Sequence, residues 1–250
     1  MSSSPTRSTS DQAVLQLLLN RKFDTIGDVI AVMQGIDKLL PDNDGLKWFN
    51  LLYLNVTQQI DNQPANSWRN PAWLTHLDIV FAGFYFKALT DWMQNNDNVP
   101  SSWNALLESR FSGGIDRIQF ALAGMNAHIN HDLALALLQT NADLQMVPLI
   151  SSPEHNDYEQ VNGILQGEIP AALEFLATGI VGELAQDTGK IGRLLAIWNV
   201  RAARDLAWGF ADYLRPLPGL SRNLAVAAQD QMTGVLGRSL LLMFDPTPNA

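Results

Sequence analysis

The sequence predicts an all-α protein, a single-domain helical bundle of about nine or ten helices, and three observations carry that prediction. Apolar residues recur at helical spacing along nearly the whole chain, the period-two alternation of a half-buried strand is essentially absent, and the breaks between apolar segments hold helix caps. No repeat of 20–50 residues is evident, which disfavours a helical solenoid.

The first ten residues, rich in Ser and Thr, are expected to form a disordered tail, leaving residues 11–250 as the domain. Asp11–Asn20 reads as a short helix. Asp24 is expected to cap a longer one running to Leu40, where Pro41-Asp42-Asn43-Asp44-Gly45 stops it. The next covers Gly45–Asp61. After a polar loop, Asn62 to Arg69, the pair Asn70-Pro71 starts a long apolar helix to about Met93, with Pro at a position where its missing N–H costs nothing. Ser102–Phe111 is short, and Gly113-Gly114 separates it from Asp116–Gln139. Four helices complete the series: His155–Gln166, Pro170–Ala185, Lys190–Leu214 and Ser221–Phe244.

Apolar residues make up 47% of the 250-residue chain and charged ones only 16%, so several helices should be buried on most sides. The net charge of −9, with no basic stripe to offset it, argues against nucleic acid and anionic membrane surfaces as partners. Cysteine is absent, which excludes disulfides, thiolate catalysis and cysteine-ligated metal. The N-terminal segment lacks the apolar stretch of a signal peptide and no window offers about 18 uninterrupted apolar residues, so a cytoplasmic protein without a membrane span is expected.

Three of the four histidines fall in a short window. Asn126–Asp132 reads NAHINHD inside an otherwise oily helix. At about 100° per residue, His128, His131 and Asp132 share roughly a third of the helical circumference with Ala121, Gly124 and Leu135. Buried polar groups need partners, by hydrogen bond, charge or coordination. A second group follows. Ser152-Pro153 is a helix start, which puts His155 in the first turn with Tyr158, Glu159 and Asn162 on its face. A helix N-terminus disfavours imidazolium and so biases His155 toward the neutral form that a metal requires.

These residues predict a metal site in which His128, His131, Asp132 and His155 hold one or two divalent ions, zinc, iron or manganese, with His76 as a further candidate ligand. Asp78 is expected on the opposite side of its helix from His76. Glu159 is a ligand or the general base for a metal-bound water, and Tyr158 a donor to a developing oxyanion. Trp198, Arg201, Arg204 and Trp208 share an arc of a later helix and are candidates to clamp a phosphate or carboxylate and stack on an apolar substrate. A metal-dependent hydrolase of a small molecule, apolar or phosphorylated, is the expected function. Two readings compete: a non-haem iron oxygenase on the same ligands, and a non-enzymatic helical module that holds a hydrophobic ligand or partner with the histidines as structural filler. There is no Gly-x-Ser-x-Gly, Walker loop, dinucleotide fingerprint, His-Glu-x-x-His or Glu-x-x-His, and no glutamate completes a calcium loop at Asp42–Gly45.

The segments AGMNAHINHDLALAL, GLKWFNLLYLNVT and DYEQVNGIL resemble an uncharacterised family of bacterial all-helical proteins of about this length. The likeness covers nearly the whole chain after the tail, and implies one helical domain without assigning an activity. The pairs His128/Asp132 and His155/Glu159 are also similar, by type and order, to the His-x-x-x-Asp and His-x-x-x-Glu ligands of the zinc-dependent phospholipase C and S1/P1 nuclease group. The N-terminal tryptophan ligand of that group is missing here.

Overall fold

Capping chemistry sets most of the helix boundaries in the computed structural model, which describes residues 8–19, 21–178 and 199–242. α1 is Thr9–Leu19 and α2 is Ile26–Leu39. α1 begins two residues earlier than expected, within the segment assigned to the tail. The cap of α2 is Thr25, not Asp24. Its hydroxyl accepts the Asp28 N–H while Asp28 accepts the Thr25 N–H, a reciprocal pair that Asp24 does not complete. α3 (Gly45–Asp61) starts at Asp44, whose carboxylate takes the Leu46 N–H at 3.0 Å. α4 (Pro71–Met93) starts at Asn70, whose side chain takes the Trp73 N–H. α5 is Ser101–Ser109, and its N-terminus is capped from a distance: Asp230 accepts the N–H groups of Ser101 and Ser102 at 2.7 and 3.0 Å.

The expected helix Asp116–Gln139 is one continuous rod with a change of pitch inside it. α6 (Arg117–Ala127) passes into a π-helical turn at His128–Asp132, marked by the Leu133 N–H bonding the His128 carbonyl, and resumes as α7 (Leu133–Asp143). α8 (Pro153–Thr178) runs straight through Pro170, so the two helices expected at His155–Gln166 and from Pro170 are one over the described residues. α9 is Val200–Leu214 and α10 is Gly219–Leu240. Residues 190–198 of the expected Lys190–Leu214 helix, and Trp198 with them, lie outside the described residues. With α6, the π turn and α7 counted as one rod, nine helices and no strand are present among the described residues.

That rod is the axis of the protein. α6 packs on α3 and α10, the π turn on α4, α9 and α10, and α7 on α4 and α9. Every residue from Ile118 to Ile129 is buried. Gly124 permits the closest approach, since a Cβ there would overlap the Phe49 ring of α3. One contiguous apolar cluster extends from Val14 in α1 to Leu241 after α10. The start of α8 is tied to the start of α4: Asp157 accepts the N–H groups of Arg69 and Asn70 at 2.8 and 2.6 Å, and Glu154 takes the Asn70 amide. Among the described residues no helix is long and apolar enough to cross a membrane.

Candidate functional site

The π turn decides where the histidines point. A wider turn brings residues i and i+4 closer to the same direction and swings i+3 away. His128 and Asp132 therefore stay together, with Nδ1 to Oδ2 at 3.0 Å, and the same Oδ2 accepts the indole N–H of Trp103 at 2.9 Å. An oxygen that already accepts from Trp103 is best matched by an Nδ1–H donor, which assigns the ring proton to Nδ1 and leaves the lone pair on Nε2. The imidazole lies flat on Phe81, centroids 3.5 Å apart and planes 5° apart, with Tyr53 edge-on at 4.5 Å. It is 1% exposed, and Nε2 has no partner. Burial lowers its pKa well below the usual 6.5, so the ring is neutral. Burial pushes Asp132 the other way, well above the usual carboxylate range; the Trp103 hydrogen bond opposes that rise and Asp230 adds to it.

His128 lines a cavity of about 40 Å³ among α3, α4, the α6–π–α7 rod, α8 and α9, which has room for a few waters or for the head of a small ligand. Its walls are mostly apolar, among them Leu74, Leu77, Ile129, Leu133, Val161 and Leu165. Four polar or charged side chains join His128 at the lining: Tyr53, Thr57, Asp78 and Arg204. The Thr57 hydroxyl is engaged, donating to the Tyr53 carbonyl at 2.9 Å. The Arg204 guanidinium is held by Asn162 Oδ1 at 2.7 Å and the Tyr158 carbonyl at 2.8 Å, and lies 4.0 Å over the Tyr158 ring. Asp78 is different. Its Oδ2 is buried without a partner, and burial raises its pKa to about 7, against the attraction of Arg204 and with added repulsion from Asp61. Two unpartnered polar atoms on one small cavity cost about 1–3 kcal/mol each until something satisfies them.

The remaining candidates lie elsewhere. His131 turns toward α10, 2.8 Å from Gln229 Oε1 and 3.9 Å from Asp230. His155 is half-buried with its ring edge-on to Trp208 at 4.7 Å. His76 pairs with Asp143 at 3.1 Å on the surface. Among the described residues no three His, Asp or Glu side chains come together to hold a metal ion, so the ligand set His128, His131, Asp132, His155 and His76 is not assembled. The cause is the pitch change at His128–Asp132, together with the course of α8, which turns His155 to Trp208. Glu159 is likewise not a base in the cavity: it bonds Arg201 at 3.0 Å in an exposed pair. The Tyr158 hydroxyl is used up as a donor to the Arg204 carbonyl at 2.7 Å. Trp208 is buried against Trp73 and Tyr158, and of the described members of the expected clamp, Arg201, Arg204 and Trp208, only Arg204 lines the cavity.

Tyr53, Thr57 and Asp78 were not singled out from sequence for this site. The signal for Asp78 was present, since it interrupts the buried stripe Leu74, Phe81 and Tyr85 at i−4, i+3 and i+7 of α4.

Residues 26–243 match the model of a family described as one of unknown function (DUF5995). Comparison with curated proteins and with solved structures finds no match, and the likeness to the phospholipase C and S1/P1 nuclease group gains no support from either.

Proposed function

We propose that this chain, which belongs to that family of unknown function, binds a small, uncharged, mostly apolar molecule through one hydrogen-bonding head in the cavity at His128. The observation that carries the reading is the pair of buried, unpartnered atoms, His128 Nε2 and Asp78 Oδ2, on one apolar cavity. The first offers a lone pair. The second, when protonated, offers a donor. A hydroxyl on a short apolar body can donate to the first and accept from the second, a carbonyl can accept from the second, and in either case the body takes the contacts of Leu74 and Val161. The metal-dependent hydrolase and the iron oxygenase both need three or four ligands on one ion, and the described residues supply no such set.

The test is thermal unfolding with butan-2-one, cyclopentanone and propan-1-ol, and with pentane as a control that lacks the head. The three head-bearing molecules are expected to raise the midpoint, and pentane is not. In the double variant His128→Phe/Asp78→Leu both unpartnered atoms are gone. It should lose the ligand response, while the lost Nδ1–Asp132 bond offsets what removal of the two unpartnered atoms gains in stability. Equal ligand shifts in parent and variant would place the binding elsewhere and sink the proposal.

A further inference from the structure

The binding reading leaves open whether the bound head reacts, and the lining of the cavity narrows the chemistry available to it. The described walls are the sides of helices, whose main-chain N–H groups are engaged along each helix, so among the described residues no pair of free backbone amides faces the cavity to stabilise a tetrahedral oxyanion. Thr57 donates its proton to the Tyr53 carbonyl and is not poised as a nucleophile. Acyl transfer thus lacks both of its usual supports. Beside the Tyr53 hydroxyl and the engaged Arg204 guanidinium, the lining holds one unpartnered proton acceptor and one carboxyl without a partner. Nε2 of His128 is the acceptor, because Nδ1–H is fixed on Asp132, which is itself anchored by Trp103. Asp78, with no hydrogen-bond partner at Oδ2, is the donor.

We infer that the cavity is a proton-transfer site for small ketones, in which His128 Nε2 takes a proton from the carbon next to the carbonyl while Asp78 gives its proton to the carbonyl oxygen. This rests on the binding reading above. The C–H bond breaks as the N–H bond forms, its electron pair becomes the C=C bond of an enol, and the Asp78 O–H proton passes to the former carbonyl oxygen. Return of a proton to carbon restores the ketone, or its isomer when a second position is conjugated. Nothing is oxidised and no co-reactant is consumed. The imidazolium formed in passing keeps its Nδ1–H bond to Asp132. The Asp78 carboxylate is stabilised by Arg204, whose attraction already acts on it. Near neutral pH both starting forms coexist, since burial keeps His128 neutral and lifts Asp78 to about 7.

The experiment uses the full chain with butan-2-one in D₂O and follows loss of the α-proton signals by ¹H NMR, against the same concentration of free imidazole. The parent protein should exchange these protons faster than imidazole does. His128→Gln, which keeps an amide able to reach Asp132, and Asp78→Asn should each lose about a hundredfold or more of that excess rate. Arg201→Ala, at an exposed pair away from the cavity, should keep it. Circular dichroism checks each variant's fold. Should His128→Gln fail that check, Asp78→Asn decides, because its side chain gives up no hydrogen bond at Oδ2. An exchange rate no better than imidazole, or one that both variants retain, overturns the inference. Saturation transfer from protein to ketone reads binding separately. Transfer without exchange overturns proton transfer and leaves the binding proposal standing; absence of transfer removes both.

Discussion

Asp78 is the residue whose environment has the most direct thermodynamic consequence. It lines the cavity with Leu74 and Phe81 of α4, and burial holds its carboxyl at about 7 against an ordinary 3.8. The folded state therefore prefers the neutral acid. The stability this contributes is full below about pH 3.8 and is lost as pH rises through 7, a window set by those two values. At about 1.4 kcal/mol per pH unit, the whole window amounts to roughly 4 kcal/mol. Asp78→Asn keeps the shape and removes the titration. At pH 8 the variant should be more stable than the parent, with the difference shrinking toward pH 4, as read by urea unfolding at a series of pH values. Comparing parent with variant cancels the opposite slope from His128, whose lowered pKa makes acid destabilising. A difference that stays flat from pH 4 to 8 would mean that the carboxyl is solvated.

Among the elements, the α6–π–α7 rod carries the strictest packing, and Gly124 within it, set against Gly83 of α4, tests that packing with opposite signs. Alanine is the better helix former by about 1 kcal/mol. At Gly124 that gain meets the Phe49 ring, and overpacking costs about 1–3 kcal/mol, so Gly124→Ala should destabilise. At Gly83 in α4 a Cβ meets nothing within 4 Å, so Gly83→Ala should stabilise by up to about 1 kcal/mol. Denaturant midpoints for the two variants should move in opposite directions; movement in the same direction would show that propensity, not contact, rules the rod. The rod also marks the limit of what was legible in the sequence. Helix starts were legible where a side chain closes the cap, as at Asp44-Gly45 and Asn70-Pro71. The π turn was not, because the i→i+5 bond follows from packing on α4, α9 and α10 and leaves no residue signature in NAHINHD. With a uniform helical pitch, His131 falls beside His128 and a metal site follows; with the wider turn, it faces Gln229. Asp78 could have been read from its place in a buried stripe, but the residues across the cavity from it come from α3, α8 and α9 and depend on tertiary packing.

On the scale of the whole molecule, polar interiors of two kinds coexist. The cavity has unpartnered groups with no ion pair, whereas Arg110, 2% exposed at the end of α5, is paired with two carboxylates and leaves its Nη1 without a partner. Its Nε donates to Asp44 Oδ1 at 2.8 Å, its Nη2 reaches Asp44 Oδ2 and, at 3.0 Å, Asp11 of α1, and its carbonyl accepts the Gly45 N–H at 2.7 Å. Burial pulls its pKa down, but Asp44 and Asp11 together outweigh that and raise it. One guanidinium thus joins α1, the capped start of α3 and the turn after α5. Such a network is worth little against an apolar replacement of all its members, yet removal of one partner strands the others. Arg110→Met leaves two buried carboxylates without a cation and should cost about 3–5 kcal/mol. Adding Asp11→Asn to that variant should recover part of the loss, since one stranded charge disappears, although Asp11→Asn alone destabilises. The four proteins of this cycle, compared by urea unfolding, give the coupling directly. Additive costs would mean that Asp11 is solvated and that α1 is held only by its apolar face, Val14, Leu15 and Leu18.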